Sequence, residues 1–325
     1  MHSDYVTAEV GVNKIFIAGH QGMVGSAIAK KLGEGYIHAK KRVLDLQRQD
    51  KVESFFDEYR PEIVILAAAK VGGIHANNTY RAEFIYNNLQ IQNNIIHSSW
   101  LFGVKKLIFL GSSCIYPKFA EQPIKEEYLL SSPLEYTNEP YSVAKIAGIK
   151  MCESYHKQYG CNFLAVMPCN LYGPNDNFHN EDSHVLPALI RRFHEAKQNN
   201  EPHVEVWGTG KAQREFMHVD DLADAVVFAL RKIDAEHIYS QNISHLNIGT
   251  GQEISIAELA KKIADTVGYE GEIRHQLDKP DGTLRKLLDV SRLEQFGWKY
   301  KISLENGLND TYGWYNEQDA ANLRL

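Results

Sequence analysis

The chain has 325 residues, of which 44% are hydrophobic and 23% are charged, and its formal net charge is −6. These values are close to those of ordinary globular proteins, so they exclude a disordered or low-complexity chain. The longest apolar run, residues 63–69, is far shorter than the roughly 20 residues of a membrane-spanning helix. A net negative charge argues against general nucleic-acid binding.

The four cysteines lack the paired spacing of a zinc site, so we expect neither a metal ion nor a disulfide framework. The first residues, MHSDYVTAEVGVNK, do not have the basic start and apolar core of a secretory signal. We therefore expect reduced thiols and a cytoplasmic location.

Short apolar runs alternate with helical patterns through the first half of the chain. Four of these runs read as strands: KIFIAG at 14–19, YIHAK at 36–40, PEIVILAAAK at 61–70 and KKLIFLGSS at 105–113. In the pattern after the first run, Val24, Ile28 and Leu32 fall on one helical face. The alternation predicts βαβ units and a doubly wound, parallel α/β sheet, with ligands at the carboxyl ends of the strands.

A glycine-rich turn joins the first predicted strand to the first predicted helix. Gly19, Gly22 and Gly25 form the pattern GxxGxxG, and Met23 and Val24 lie within it. Glycines at these positions let the backbone approach a pyrophosphate at the positive N-terminus of the helix. These residues are therefore assigned to a dinucleotide. A turn that needs glycines for packing alone is the alternative.

The second predicted strand is followed by cations rather than by an acidic residue. An NAD enzyme usually has an Asp or Glu about 20 residues after the glycines, where it binds a ribose hydroxyl. This chain has Lys40, Lys41 and Arg42 instead. Because cations form strong hydrogen bonds to phosphate, the run favours NADP(H). A solvated basic surface is the other interpretation.

A candidate catalytic set lies in the middle of the chain. Tyr141 and Lys145 are four residues apart in a predicted helix, so they share one face. A nearby ammonium lowers the pKa of a phenol, and Tyr141 would then act as general acid on a carbonyl that accepts a hydride. Ser112 follows the fourth predicted strand, from which its hydroxyl would bind the same carbonyl oxygen.

Long stretches of the chain resemble the GDP-L-fucose synthases, which belong to the extended short-chain dehydrogenase/reductase superfamily. The resemblance covers nearly the whole chain from residue 14 to about residue 314. It is carried by GHQGMVGSA, AAAKVGGIHANNTYRAEFIYNNLQIQNNIIHSS, LGSSCIYPK, NEPYSVAKIAGIKMCESY, MPCNLYGPNDNF, SHVLPALIRRFHEA, VWGTGKAQREFMHVDD and KPDGTLRKLLDVSRL.

The resemblance implies an NADPH-dependent enzyme that epimerises C3 and C5 of GDP-4-keto-6-deoxy-mannose and then reduces C4. It makes Cys114 the base and His184 the acid of the epimerisation, with His184 also part of the cofactor pocket. Without the resemblance, Cys114 could also be a small buried side chain with no role in catalysis. We expect Cys152, Cys161 and Cys169 to be small buried side chains of this kind.

Further residues are assigned by the resemblance. Pro168, Asn170 and Leu171 would line the nicotinamide end of the cofactor pocket. The residues that would contact the GDP-sugar are Arg192, Trp207, Arg214, Asp281 and Lys286. On the residues alone, Arg192 could equally be a surface charge and Trp207 a core side chain. The chain departs from the family pattern at Gln21, usually an arginine, and at Leu284, usually a proline.

The sequence thus predicts an NADP-binding Rossmann domain at 1–172, with part of 215–248 returning to it, and a mainly substrate-binding domain at 173–325. The expected partners are a GDP-4-keto-6-deoxy sugar and a second copy of the chain, which would pair through the helices near 87–99 and 141–159. One alternative is a C4 reductase of a related GDP-4-keto sugar such as a 6-deoxy-heptose, with epimerisation left to another enzyme. A nucleotide-sensing regulatory protein on the same scaffold is the other.

Overall fold

The structure is a computed structural model, and it describes residues 5–6, 14–179, 182–279, 283–318 and 323. Its strands are β1 (Tyr5–Val6), β2 (Ile15–Ala18), β3 (His38–Ala39), β4 (Ile63–Leu66), β5 (Lys106–Leu110), β6 (Phe163–Pro168), β7 (Asn170–Tyr172), β8 (His203–Trp207), β9 (Gln213–Arg214), β10 (Phe216–His218), β11 (Leu246–Ile248), β12 (Ile254–Ser255), β13 (Glu272–Gln276) and β14 (Arg285–Lys286).

Its α-helices are α1 (Met23–Leu32), α2 (Gln49–Tyr59), α3 (Ile74–Thr79), α4 (Arg81–Leu101), α5 (Glu139–Tyr159), α6 (Val185–Gln198), α7 (Val219–Lys232), α8 (Ala235–Tyr239), α9 (Ile256–Val267), α10 (Ser291–Gln295) and α11 (Leu304–Glu317). Short 3₁₀ turns cover Ser113–Ile115, Glu126–Tyr128 and Tyr136–Asn138.

A parallel sheet of five strands, in the order β11-β6-β5-β4-β2, forms the centre of the fold. Every residue of β5 and β6 is buried, because helices cover both faces of the sheet. α4 packs against α2 and α5, and α1 packs against α7. The predicted doubly wound α/β fold is confirmed.

The strand predicted at 36–40 is shorter than its pattern indicates. Ile37 extends the parallel sheet by exchanging hydrogen bonds with β2, from its own N–H to the Ile15 carbonyl at 2.7 Å and from the Ile17 N–H to its carbonyl at 3.1 Å. The next residues, His38 and Ala39, pair antiparallel with β1 instead. The ladder to β2 ends after one residue because the chain turns toward this second partner.

Two hydrophobic clusters fill most of the interior. The main cluster surrounds the parallel sheet, and it includes side chains of α7 and of β11, so the chain returns to this sheet well after β6. A second cluster joins α6, α9 and α11. The domain limits at 172 and 173 stay a prediction.

In the part of the chain that the structure describes, every helix is too short or too polar to cross a membrane.

Candidate active site

A cleft of about 720 Å³ lies where the central strands β2, β4, β5 and β6 end. Much of its wall is formed by the segments that follow these four strands, including residues 67–72 after β4 and 110–114 at the end of β5. The carboxyl ends of parallel strands are the usual ligand-binding edge of a doubly wound sheet. The cleft therefore lies where the sequence places the site.

The glycine turn after β2 forms one end of this cleft. Gly19 has φ of +92°, a backbone conformation that favours glycine. A Cβ added to Gly25 would lie 2.1 Å from the Gly19 carbonyl oxygen, so no side chain fits there. All the predicted turn residues line the cleft, namely Gly19, Gly22, Met23, Val24 and Gly25. The first turn of α1 contains no acidic residue, and this cradle fits a pyrophosphate.

The basic run after β3 contributes Lys41 to the cleft. Lys40 and Arg42 are not among the described residues that line it. Burial, the neighbouring His38 and the charge of Lys40 together lower the pKa of His20 to about 4.

A further wall segment, residues 44–47, was not assigned from the sequence. It is irregular and alternates leucines with polar residues, and local pattern alone gave no signal for it.

Tyr141 projects from α5 into the cleft and is only 8% exposed. Burial is the main cause that raises the pKa of its phenol, Cys114 raises it further, and a hydrogen bond with the Ser112 side chain lowers it. The lowering expected from Lys145 is therefore not found, because desolvation by burial dominates the pKa of the phenol. The edge of the Phe84 ring, whose centroid lies 6.1 Å away, packs against the Tyr141 ring.

Lys145 lies one helical turn further along α5 and is also buried. Its ammonium donates a hydrogen bond to the Leu110 carbonyl at 2.8 Å and lies 5.8 Å from the centre of the Tyr141 ring. Burial lowers the pKa of Lys145 to about 7. Ser112, Tyr141 and Lys145 thus meet at one wall of the cleft.

The two residues assigned to the epimerisation both line the same cleft. Cys114 is half-buried in a 3₁₀ turn, where its carbonyl accepts a hydrogen bond from Ser142 Oγ at 2.8 Å. His184 directly precedes α6 and is accessible from the cleft, although surrounding protein atoms desolvate it. This desolvation, with a smaller contribution from the charge of Lys286, lowers the pKa of His184.

The residues assigned by resemblance to the nicotinamide end line the cleft where β6 passes into β7, namely Pro168, Asn170 and Leu171. The Asn170 side-chain amide donates to the Glu215 carbonyl at 2.8 Å, which ties this turn to the segment between β9 and β10.

The residues assigned to the GDP-sugar form two pairs outside this lining. The Arg192 guanidinium lies 5.3 Å from the centre of the Trp207 ring, within the range of a cation–π contact. Lys286 lies opposite Arg214 where β14 pairs with β9. Asp281 lies outside the residues that the structure describes.

Sequence reasoning missed Glu215, which is 0% exposed. One carboxylate oxygen accepts hydrogen bonds from the N–H groups of Thr250 and Gly251 at 2.6 and 2.8 Å, and the other accepts from the N–H of Leu288 at 3.0 Å. These bonds join the connection between β9 and β10 to two other segments. An acidic residue beside the apolar pattern of β10 was the available signal, but its partners are distant in sequence.

Comparisons with known proteins agree with this geometry. Residues 15–249 match the model of the NAD dependent epimerase/dehydratase family. GDP-L-fucose synthase 1 of Arabidopsis thaliana is 60% identical over 93% of each chain. A GDP-L-fucose synthetase from Naegleria fowleri bound to NADP superimposes with a TM-score of 0.86 at 27% identity over 99% of each chain.

A GDP-mannoheptose C4 reductase from Campylobacter jejuni with NADP bound superimposes with a TM-score of 0.85 at 42% identity, over 94% of this chain and 98% of that one. Similarity over nearly complete chains identifies the architecture and the class of enzyme together. The chain belongs to the NAD dependent epimerase/dehydratase family and groups within it with the GDP-L-fucose synthases.

Proposed function

We propose that this protein is an NADPH-dependent epimerase/reductase that converts GDP-4-keto-6-deoxy-mannose to GDP-L-fucose. The observation that carries the proposal is that Cys114, His184 and Tyr141 line one cleft together with the glycine turn. The names of the similar proteins support the same substrate and cofactor. The regulatory alternative lacks this support, because these relatives are named as enzymes.

The residues of the cleft suit an NADP-type cofactor. The turn at Gly19–Gly25 would hold the pyrophosphate, Lys41 the adenosine phosphate and Lys145 the nicotinamide ribose, with Asn170 at the far end. When bound, NADPH supplies the hydride for the sugar ketone.

Cys114 and His184 would carry out the epimerisation. The protons at C3 and C5 are acidic because they flank the C4 ketone, so a base can remove them and an acid can return a proton to the opposite face. Cys114 would take the proton from carbon, and His184 would give a proton back. The lowered pKa of His184 makes its protonated form a stronger proton donor and also less populated at neutral pH.

Tyr141 would complete the reduction by giving its proton to the C4 oxygen. The raised pKa of the buried phenol keeps it protonated until the oxygen gains negative charge. Ser112, hydrogen-bonded to this phenol, would hold the same oxygen in place. Lys145, whose side chain donates a hydrogen bond to the Leu110 carbonyl, would contribute positive charge once the bound cofactor favours its protonated form.

A second candidate function is C4 reduction alone, on a related GDP-4-keto sugar. It is favoured by the structural similarity to the Campylobacter jejuni heptose reductase. Both functions use Ser112, Tyr141 and Lys145 in the same way, and only the first requires Cys114 and His184 to move protons.

Substitution of Cys114 by alanine separates the two functions. If the enzyme is bifunctional, wild-type product is inverted at C3 and C5, whereas C114A product keeps the configuration of the substrate at both carbons while NADPH is still oxidised. C161A, at a half-buried cysteine outside the cleft lining, is the matched control and should behave as wild type. Wild-type product without inversion would favour the reductase.

We also propose that two copies of the chain associate through α4 and α5. These helices pack together and leave apolar side chains exposed, including Tyr86, Val143 and Tyr159. The cytoplasmic location expected from the sequence stays a prediction.

A further inference from the structure

The segment between β4 and α3 packs backbone against backbone with the turn that carries His184. The Gly73 N–H donates a hydrogen bond to the Asp182 carbonyl at 2.7 Å. A Cβ added to Gly73 would lie 2.4 Å from the Ser183 carbonyl oxygen and 3.2 Å from that of Asp182. Only glycine therefore permits this contact, and it fixes the two residues directly before His184.

The glycine is itself held from the other side. The amide of Asn77, a residue only 6% exposed, donates to the carbonyls of Gly72 and Gly73 at 2.7 and 2.9 Å. An additional contact joins His75 Nδ1 and the Asp182 carboxylate at 3.2 Å. The contact therefore has a defined position on both sides.

We propose that Gly73, held by Asn77, is a positioning residue that sets the place of the His184 imidazole for proton transfer. The inference rests on the proposed function, because it concerns the acid of the epimerisation. His184 has extended backbone (φ −72°, ψ 165°) immediately before α6, so a shift of Ser183 moves its side chain directly. A misplacement of about 1 Å can slow a positioned reaction by about a hundredfold.

The reducing residues have separate supports. Tyr141 and Lys145 lie on α5, and Ser112 follows β5, so the Asp182–Ser183 backbone belongs to none of the elements that carry them. A displaced His184 therefore lowers the ratio of epimerisation to hydride transfer. A general loss of packing would lower both steps together.

The test is G73A, assayed in heavy water with NADPH and GDP-4-keto-6-deoxy-mannose. The deuterium incorporated at C3 and C5, and the fraction of product inverted there, should each fall at least tenfold relative to NADPH oxidation. The Kd for NADPH should stay within about twofold of wild type. G313A is the matched control, because a Cβ at Gly313 on α11 meets no atom within 4 Å, and its ratio should equal that of wild type.

N77A provides a second variant that adds no atoms to the contact. It removes both hydrogen bonds to the glycine carbonyls, so the ratio should fall in the same direction by a smaller factor, and it decides the matter if G73A does not fold. An unchanged ratio in a folded variant, or an equal loss of both steps, overturns the inference. Wild-type protein that neither incorporates deuterium nor inverts the sugar would instead overturn the proposed function.

Discussion

Burial governs the chemistry of the individual residues at the wall of the cleft where Ser112, Tyr141 and Lys145 meet. Tyr141 and Lys145 are both removed from water, so the phenol favours its protonated form and the amine its neutral form. Binding a negatively charged cofactor beside them changes that balance. The phenol and the amine therefore give two predictions that can be tested separately.

Replacing Tyr141 by phenylalanine removes the proposed proton donor and keeps the ring that packs on Phe84. We expect kcat for NADPH oxidation to fall by about a hundredfold to ten-thousandfold, the usual contribution of a general acid. The Kd for NADPH should be nearly unchanged. Y159F, at an exposed residue near the end of the same helix, is the control. Retention of full activity in Y141F would remove Tyr141 from the mechanism.

The lowered pKa of Lys145 predicts proton uptake when NADPH binds. In the free protein its pKa is about 7, so the amine is mostly neutral at about pH 8. The negative charge of NADPH favours the ammonium and raises this pKa, so binding takes up a proton and NADPH affinity falls as pH rises above about 7. Calorimetric titrations in two buffers of different ionisation enthalpy measure the uptake. Equal uptake in K145M would assign the proton to another group.

At this scale the sequence predicted the residues with a strong local signal. The glycine turn, Tyr141, Lys145 and Ser112 were expected at the ligand-binding edge because their spacing and their place after a strand have a physical meaning. Glu215 and Gly73 were not, because their roles depend on Leu288 and Ser183, which are distant in sequence. Cys114 and His184 were assigned by resemblance rather than by spacing.

Among the elements, the approach of α5 to β5 sets the position of the wall where Ser112, Tyr141 and Lys145 meet. A Cβ added to Gly148 would lie 2.4 Å from the Phe109 ring, which is 1% exposed and has little room to move. Lys145 packs on the same ring at 4.9 Å from its centre. The glycine therefore lets the helix lie close enough for Tyr141 and Lys145 to reach the cleft.

Substitution of Gly148 by alanine tests this close approach. We expect the free energy of unfolding to fall by about 1–3 kcal/mol, the usual cost of overpacking a core. Denaturant unfolding measures it, with G313A as a control that should change stability by less than about 1 kcal/mol, because the added methyl has open space. If G148A were as stable as G313A, the helix would tolerate a wider spacing than we infer.

Strands and helices were predicted correctly where the apolar pattern is uninterrupted. The prediction failed where two strands compete to pair with the same segment. The strands at β2, β4 and β5 and the helix at α1 follow their apolar patterns. The run at 36–40 has the same apolar character, but His38 and Ala39 pair with β1 rather than with β2. No local pattern indicates that exchange.

At the scale of the whole molecule, the main question is how two copies would meet. Tyr86 on α4 is 59% exposed, and it is one of the apolar side chains that α4 and α5 leave exposed. If α4 and α5 form the proposed interface, wild-type protein sediments as a dimer and Y86K shifts toward monomer. F119K, at an 80% exposed phenylalanine outside these helices, should remain dimeric. A monomeric wild-type protein would rule out the interface.

In the proposed mechanism, one cleft performs both epimerisation and reduction. The most direct test incubates the protein with NADPH and GDP-4-keto-6-deoxy-mannose in heavy water, and follows NADPH oxidation together with deuterium at C3 and C5. We predict oxidation with deuterium at both carbons and a product inverted there. Oxidation without deuterium would contradict the claim and leave a C4 reductase.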